Sequence, residues 1–336
     1  MILAGDVGGT KTRLAICQLE DGRIIRQQTD TFASCDYSCL EEVVQDFINK
    51  YDVSVTRSCF GVPGPVVNGE AKATKLPWHF KEDRISNELN IPTVKLVNDL
   101  VATAAAVPHL TTEDLHVLYE GEPPGSTAEG RNGSGNGEEV IGVLAPGTGL
   151  GQAYVHTNAG QHYILASEGG HADFAPTNEL EAKLFQYLMS KYDHVSYDRV
   201  LSGPGLGSVY TFLKETGFAP EPPELKKRLR EEDPGTVITT TGKTGEYELC
   251  VKALDIFASV LGAQAGNMVL NLLATGGIYL GGGIPAGIYE KLADGITVNS
   301  YLEKGRLSYL VEKTPLYVIL DDHTALLGAA YIASES

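Results

Sequence analysis

The feature that most constrains the fold is residues 5–13, which read Gly-Asp-Val-Gly-Gly-Thr-Lys-Thr-Arg. An apolar run at residues 2–4 enters this stretch, and a run of strand character at residues 14–19 leaves it. The pattern predicts a β-hairpin with glycines and threonines at its tip. Glycines let the backbone approach a ligand closely, and hydroxyls and a lysine suit phosphate oxygens. An ordinary glycine-rich turn is the alternative interpretation.

The same stretch does not fit a Walker P-loop. That motif needs a glycine immediately before the lysine and a helix after it, whereas Thr10 precedes Lys11 and strand-like residues follow. Asp6 ends the first strand, so it is expected near bound phosphate. A carboxylate fits there mainly with Mg²⁺ between the two groups, and we expect Asp6 to reach the metal through water.

The overall composition limits the classes of partner. The chain has 336 residues and a net charge of -17, enough length for two domains and a charge that argues against a broad nucleic-acid or anionic-membrane surface. No leader or membrane-spanning run is recognisable. Without a CxxC pair, free thiols in a reducing cytoplasm fit better than a zinc site or disulfides. The cysteines are Cys17, Cys35, Cys39, Cys59 and Cys250.

The first part of the chain is predicted to follow the order βββαβαβα. Asp21-Gly22 is a strong hairpin signal that adds a third strand. Ser38, with Glu41 three residues later, predicts a capping box at the start of the first helix. The remaining predicted elements are strands at 58–62 and 93–97 and helices at 40–48, 83–89 and 100–107.

A polar stretch at residues 121–138 predicts a solvated loop, and the pattern then restarts. Gly147-Thr148-Gly149 forms a second glycine–threonine tip. Residues 219–235 are charged and rich in proline, which favours a surface excursion. The predicted elements are strands at 140–145, 152–156, 162–166, 278–280 and 316–320, and helices at 179–191, 205–214, 247–273 and from 324.

These two parts form a weak internal repeat. Asp99-Leu-Val-Ala matches Asp322-His-Thr-Ala, with small residues again three and four positions on, a spacing that lets helices pack closely. Chance similarity between alanine-rich helices is the alternative. The repeat predicts two lobes with a cleft between them and a final helix that returns to the first lobe. The expected domains are 1–109 plus about 321–336, and 110–320.

The chain resembles the bacterial glucokinase family of the sugar kinase/actin-like ATPase superfamily. Six motifs carry the resemblance: residues 5–10, 97–99, 146–151, 167–171, 200–205 and 280–284. It implies a two-lobed ribonuclease H-like/actin-like ATPase fold with a duplicated βββαβαβα core. It also implies that ATP with Mg²⁺ phosphorylates the 6-hydroxyl of D-glucose, the first step of glycolysis, in a cytoplasmic homodimer.

The candidate site residues fall into a sugar set and a nucleotide set. Asp99, at a strand end, is expected to act as general base on the sugar hydroxyl; its alternative role is a helix N-cap. As a set, Asn98, Glu168 and His171 can donate hydrogen bonds to a sugar and accept them from it. No second histidine or cysteine lies near His171 at ligand spacing, which argues against a metal there. The nucleotide set is Gly5, Asp6, Val7, Gly8, Gly9, Thr10, Gly147, Thr148, Gly149, Gly281, Gly282 and Gly283.

Two departures from the family pattern concern sugar preference. Asp198 stands where the family usually has a sugar-binding glutamate, and Lys75 stands where asparagine is common. We expect Asp198 to keep a sugar contact, so that Asp198→Ala weakens glucose use and leaves the KM for ATP nearly unchanged.

Three alternatives remain open. One is a kinase for another hexose or amino sugar, though many of that related class carry a Cys-rich zinc loop, and no such loop follows His171 here. A non-catalytic sugar sensor would usually need a DNA-binding module before the first tip. An actin- or chaperone-like ATPase would leave Glu168 and His171 without a purpose.

Overall fold

The computed structural model describes residues 1–73, 76–121 and 138–336. Lys75 and nearly all of the predicted loop at 121–138 lie outside the described residues. The strands are β1 (Ile2–Val7), β2 (Lys11–Glu20), β3 (Arg23–Ala33), β4 (Arg57–Val62), β5 (Glu70–Lys72), β6 (His79–Lys81), β7 (Thr93–Asn98), β8 (Leu115–Tyr119), β9 (Glu139–Pro146), β10 (Leu150–Asn158), β11 (Gln161–Ser167), β12 (Ile278–Leu280) and β13 (Leu316–Ile319).

The α-helices are named in the same way, in chain order. They are α1 (Leu40–Tyr51), α2 (Glu82–Leu89), α3 (Asp99–Ala106), α4 (Glu179–Met189), α5 (Gly203–Glu215), α6 (Pro223–Glu231), α7 (Pro234–Thr244), α8 (Glu248–Leu272), α9 (Gly283–Gly287), α10 (Tyr289–Leu292), α11 (Ile296–Leu302), α12 (Ser308–Val311) and α13 (Thr324–Glu335). The chain forms two compact units. Unit 1 contains Met1–Thr111 and Asp321–Ser336, and unit 2 contains Thr112–Leu320.

Unit 1 is built on a five-stranded sheet in the order β3-β2-β1-β4-β7. The first three strands form an antiparallel meander, and β4 and β7 add in parallel. Successive side chains of a strand face opposite sides of the sheet. In β1, Leu3 packs in a core with α1, whereas Ile2 and Ala4 pack in a core with α3 and α13. The same alternation places Asp6 on the α3 and α13 face.

Small residues let α3 and α13 approach closely. Gly328 of α13 lies against the backbone of Ala102, where a Cβ atom would overlap the Ala102 carbonyl oxygen. Ala329 and Ala330 are fully buried in the same core. The residues that the repeat picked out therefore set the packing of the two helices.

Unit 2 repeats this framework. Its sheet has the order β11-β10-β9-β12-β13-β8, in which the first three strands are antiparallel and β12 and β13 add in parallel, as in unit 1. The duplicated strand order that the sequence predicts is confirmed, with β8 as an addition at one edge. The long helix α8 is apolar enough to span a membrane by length and composition, but 78% of its most apolar window is buried, so it is the core helix of this unit.

The predicted capping box at the first helix is wrong by one residue. Cys39, not Ser38, is the N-cap of α1, and its side chain makes no capping hydrogen bond. The Ser38 backbone N–H donates instead to Glu42 Oε2 (2.8 Å). Glu42 therefore supplies the reciprocal bond that the sequence assigned to Glu41.

The segment at residues 219–235 lies largely at the surface, as predicted, but it is helical, since it forms α6 and begins α7. Pro223 and Pro234 occupy the first turns of these helices, where proline loses no intrahelical hydrogen bond. Asp233 caps α7 by accepting from Thr236 N (2.8 Å). Leu225 and Val237 are fully buried, so the helices are anchored by apolar positions despite their charge.

Candidate active site

The first tip, residues 8–10, joins β1 to β2. Gly8 N donates to the carbonyl of Lys11 (2.9 Å), which closes the turn. Thr10 is exposed at the end of the hairpin. Gly5 and Val7 lie in the buried part of β1, where a Cβ on Gly5 would overlap the ring of Phe60. Packing therefore accounts for Gly5 and Val7, and any ligand contact there would be through the backbone.

Asp6 faces Arg13 across the β1–β2 ladder. Arg13 Nη1 donates to Asp6 Oδ2 (3.2 Å), and Arg13 Nη2 donates to Asp322 Oδ2 (3.4 Å). Burial raises the pKa of the Asp6 carboxyl, and the neighbouring Arg13 guanidinium acts in the opposite direction. The guanidinium thus links the end of β1 to the segment that precedes α13.

Asn98 and Asp99 stand where β7 ends and α3 begins. The N-cap is Asn98, whose Oδ1 accepts from Leu100 N (3.0 Å) and whose Nδ2 donates to the carbonyl of Gly64 (3.1 Å). The capping role considered for Asp99 therefore belongs to its neighbour. Asp99 is the first helical residue, and its Oδ1 also accepts from Leu100 N (2.9 Å).

The Asp99 carboxylate is poorly hydrated although the residue has an exposed surface. Loss of hydration raises its pKa, the Leu100 N–H lowers it, and the charge of Asp6 raises it again. A raised pKa makes Asp99 a stronger base than a surface aspartate.

The second tip, residues 147–149, joins β9 to β10 in unit 2. Gly147 N donates to the carbonyl of Gly149 (2.8 Å), and Gly203 N at the start of α5 donates to the carbonyl of Gly147 (2.8 Å). Leu150 N donates to Asp198 Oδ1 (2.8 Å). Asp198 is therefore a structural partner of the second tip.

Glu168 and His171 flank a tight turn after β11. The His171 backbone N–H donates to the carbonyl of Glu168 (2.9 Å), and both residues are exposed. A Cβ on Gly170 would overlap the carbonyl oxygen of Leu150, so this position must be glycine. The turn consequently packs on the residue that Asp198 holds.

A polar cavity of about 430 Å³ lies in unit 2 beside this turn. Its lining brings His171 and Asp198 together with the side chains of Lys191, Tyr192, Asp193, His194, Ser196 and Arg199. Two of its cations already have partners, because Lys191 pairs with Glu215 (3.3 Å) and the Arg199 guanidinium lies over the Tyr192 ring (4.2 Å).

Within the glycine run after β12, the backbone requires glycine at position 282. Gly281 N donates to the carbonyl of Leu144 (2.9 Å). Gly282 has φ +84°, and a Cβ there would lie 2.7 Å from the Pro146 carbonyl oxygen. Gly282 and Gly283 are exposed. The run therefore packs beside the second tip, and contact with adenosine stays a prediction.

Among the residues that the structure describes, two places with oxygen ligands suitable for Mg²⁺ are of interest. Arg13 occupies Oδ2 of Asp6, which leaves Oδ1 for a metal-bound water, so a water-mediated role for Asp6 fits the structure. Asp321, Asp322 and His323 also lie close enough to share an ion. His323 already pairs with both carboxylates, at 3.4 and 2.7 Å.

The comparisons with known proteins agree along the whole chain. A family model described as Glucokinase matches residues 3–336. A glucokinase of Nostoc punctiforme is 36% identical over 99% of this chain and 99% of its own length.

The chain belongs to the glucokinase family.

Solved structures support the same fold. A glucokinase from an Antarctic psychrotroph has a TM-score of 0.84 and 29% identity, covering 100% of this chain and 99% of its own. A ROK family glucokinase from Streptomyces griseus, in complex with glucose and AMPPNP, has a TM-score of 0.60 and 19% identity, covering 100% and 99%. This glucokinase-family protein thus has the actin-like ATPase fold and is a hexose kinase.

The structure gathers some predicted residues and adds others that sequence reasoning missed. In unit 1, Asp6 lies close enough to Asp99 for its charge to raise the pKa of the Asp99 carboxyl. In unit 2, His171 and Asp198 line one cavity. Arg13 was missed because its second partner, Asp322, lies far along the chain; the signal for Arg13 was its position opposite Asp6 in the predicted hairpin.

Proposed function

We propose that this protein transfers the terminal phosphoryl group of ATP to the 6-hydroxyl of D-glucose. The observation that carries the proposal is Asp99, a carboxylate of raised pKa at the end of β7. A sugar hydroxyl is a poor nucleophile until a base takes its proton. Such a base typically contributes about 10²–10⁴ in rate. We assign this role to Asp99, with Asn98 as its neighbour on the sugar.

The two tips are assigned to the phosphate oxygens of the donor. Both tips offer exposed backbone and a threonine hydroxyl, and each ends a β-hairpin at the same place in the duplicated framework. When bound, Mg²⁺ supplies charge neutralisation at these oxygens, and Asp6 would hold one of its waters. Arg13 keeps the Asp6 carboxylate oriented. The run at residues 281–283 is assigned to adenosine.

Sugar recognition is assigned to unit 2 residues around the second tip. Glu168, His171 and Asp198 are grouped by the turn at residues 168–171 and by the hydrogen bond from Leu150 to Asp198. The second carboxylate oxygen of Asp198 remains for a sugar hydroxyl, directly or through water. This arrangement supports the retention of glucose binding despite the shorter side chain.

The cellular setting belongs to the same proposal. A glucose kinase of this family would perform the first step of glycolysis in the cytoplasm, and the family resemblance supports a homodimer. Light scattering on the purified protein tests the homodimer, for which a mass of about twice that of the 35.9 kDa chain is expected. A monomer at assay concentrations would remove that part of the proposal and leave the activity unaffected.

A coupled assay of the purified protein across sugars and phosphoryl donors tests the activity. We expect glucose with Mg·ATP to give the highest kcat/KM. Glucose-independent release of ADP, or no sugar-dependent release with any hexose, would contradict the proposal. If an amino sugar or another hexose gave a higher kcat/KM than glucose, that sugar would be assigned as the substrate instead.

The base is tested with Asp99→Asn and a matched control, Asp83→Asn. Asp83 is an exposed aspartate in the first turn of α2, so it has a similar helix position without a role in the site. Loss of the base should lower kcat by at least about a few hundredfold with little change in the KM for ATP, whereas the control should keep its kcat. Near-normal turnover in Asp99→Asn would remove Asp99 as the base.

A further inference from the structure

Ser34 follows the end of β3 and is in contact with the first tip. Its side chain is fully buried, and its hydroxyl donates to the carbonyl of Gly8 (2.9 Å). Its backbone N–H donates to the carbonyl of Thr10 (3.0 Å). One residue therefore holds the carbonyl groups at both ends of the tip.

Thr12 completes this arrangement. Its Oγ1 lies 3.0 Å from Ser34 Oγ, and Thr12 is also fully buried. A serine hydroxyl has a single hydrogen to donate, and that hydrogen is directed to Gly8. Thr12 must therefore donate to Ser34, and the two hydroxyls form a short chain that ends on the tip.

Fixing these carbonyls fixes the amides that a phosphate would meet. A peptide unit is planar and trans, so its carbonyl and the next N–H point in opposite directions. Holding the Gly8 carbonyl sets the direction of the Gly9 N–H, and holding the Thr10 carbonyl sets that of the Lys11 N–H. Backbone N–H groups oriented before binding lower the cost of ordering the site.

We propose that Ser34 is a positioning residue for nucleotide phosphate, which orients the amides of the first tip without touching the ligand. The inference rests on the proposed assignment of the first tip to the phosphates of ATP. It adds a residue from outside the glycine motif, and it makes the end of β3 part of the nucleotide site.

The test compares Ser34→Ala with Ser58→Ala. Ser58 is equally buried in unit 1, and its hydroxyl donates to the carbonyl of Thr93 (3.5 Å), away from the tip. Loss of one neutral hydrogen bond should raise the KM for ATP and the Kd of Mg·ADP about fivefold in Ser34→Ala. The KM for glucose should stay within about twofold by the same reasoning. Ser58→Ala should lower the melting temperature and leave both nucleotide constants unchanged.

A second pair of variants covers the case in which Ser34→Ala does not fold. Thr12→Val removes the hydroxyl that donates to Ser34 and should raise the Kd of Mg·ADP about twofold, whereas Thr12→Ser should restore it. The double variant should be no worse than Ser34→Ala alone, because Thr12 acts through Ser34.

The outcomes separate this inference from the proposed function. If Ser34→Ala, or Thr12→Val in its place, binds Mg·ADP like the unmodified protein, the positioning role is overturned. If the unmodified protein binds Mg·ADP but does not phosphorylate glucose, the proposed function fails. The Kd of Mg·ADP, measured by calorimetric titration, still decides the role of Ser34 in that case.

Discussion

The two glycine tips occupy equivalent places in the duplicated sheets, yet different chemical groups support them. In unit 1, neutral hydroxyls of Ser34 and Thr12 support the first tip. In unit 2, the Asp198 carboxylate and the backbone of Gly203 support the second tip. In unit 1, the residues that hydrogen-bond to the tip therefore differ from Asp6 and Asp99, which are proposed to take part in the reaction. In unit 2, the residue proposed to bind the sugar also supports the tip.

Among the variants that test how the two tips are supported, the largest effect is expected where support depends on close packing. Gly170→Ala would drive a Cβ into the Leu150 carbonyl oxygen and displace the turn between Glu168 and His171. A displacement of about 1 Å can lower a rate about 100-fold, so we expect kcat/KM for glucose to fall by about that factor. The control is Gly207→Ala in α5, where a Cβ meets nothing within 4 Å; it should raise the melting temperature and keep the activity. Activity of Gly170→Ala within threefold would show that the turn can move freely.

Variants of Asp198 separate support from sugar binding. Asp198→Ala loses both contacts and should raise the KM for glucose about 10- to 100-fold, since charge-assisted hydrogen bonds are worth about 1.5–3 kcal/mol. The bond to Leu150 leads us to expect a severalfold rise in the KM for ATP as well, in contrast to the expectation from sequence. Asp198→Asn can still accept from Leu150, so it should spare the KM for ATP and raise that for glucose. Equal effects of both variants on both substrates would mean that the roles are not separable.

Arg13 allows the corresponding test in unit 1. Its pairs with Asp6 and Asp322 are partly exposed, so Arg13→Met should lower kcat only about fivefold. Burial raises the pKa of Asp6 and the Arg13 guanidinium opposes that rise, so removal of Arg13 should move the acid limb of the pH–rate profile to higher pH. Arg13→Lys keeps the positive charge beside Asp6, so its acid limb should stay close to that of the unmodified protein. An unchanged pH profile in Arg13→Met would restrict Arg13 to a structural role.

The smallest effect concerns stability and Asp99. Because desolvation raises its pKa in the folded state, the protonated form is favoured by folding, and stability falls as pH rises through the raised pKa. Asp99→Asn should therefore melt at or slightly above the temperature of the unmodified protein at pH 7. The difference should vanish below about pH 4, the ordinary aspartate pKa. Calorimetry of both proteins at the two pH values checks this. A lower melting temperature for Asp99→Asn than for the unmodified protein at pH 7 would contradict the prediction.

Local patterns predicted the parts of this fold that depend on nearby residues. The hairpins, the second tip and the long helix α8 follow from turn residues and periodicity, and the duplicated order of strands and helices along the chain follows from the repeat. The start of α1 was misplaced because the reciprocal glutamate was one residue further on. Helices α6 and α7 were missed because their prolines signal helix starts as well as loops.

The contacts of the candidate site that the sequence did not predict join residues that are far apart in the sequence. Ser34 reaches Gly8 only after the third strand returns beside the hairpin, and Arg13 reaches Asp322 only when α13 joins unit 1. Asp198 was recognised as a departure in a sugar-binding motif, but its bond to Leu150 could not be read from either segment. Supporting contacts of this kind carry no local pattern, whereas glycine tips and strand-end carboxylates do.

The position of α13 has a consequence for biosynthesis. One face of β1, β2 and β4 is covered by Leu326 and Ala329, which leave the ribosome only after all of residues 112–320. Until then Ala4, Ala15 and Cys59 have no helix α13 to cover them. Domains generally fold as they emerge from the ribosome. Here unit 2 can complete its fold first, whereas unit 1 can do so only after α13 has been synthesised. A nascent chain paused before residue 321 would therefore expose an apolar sheet face, which is where chaperones are expected to bind.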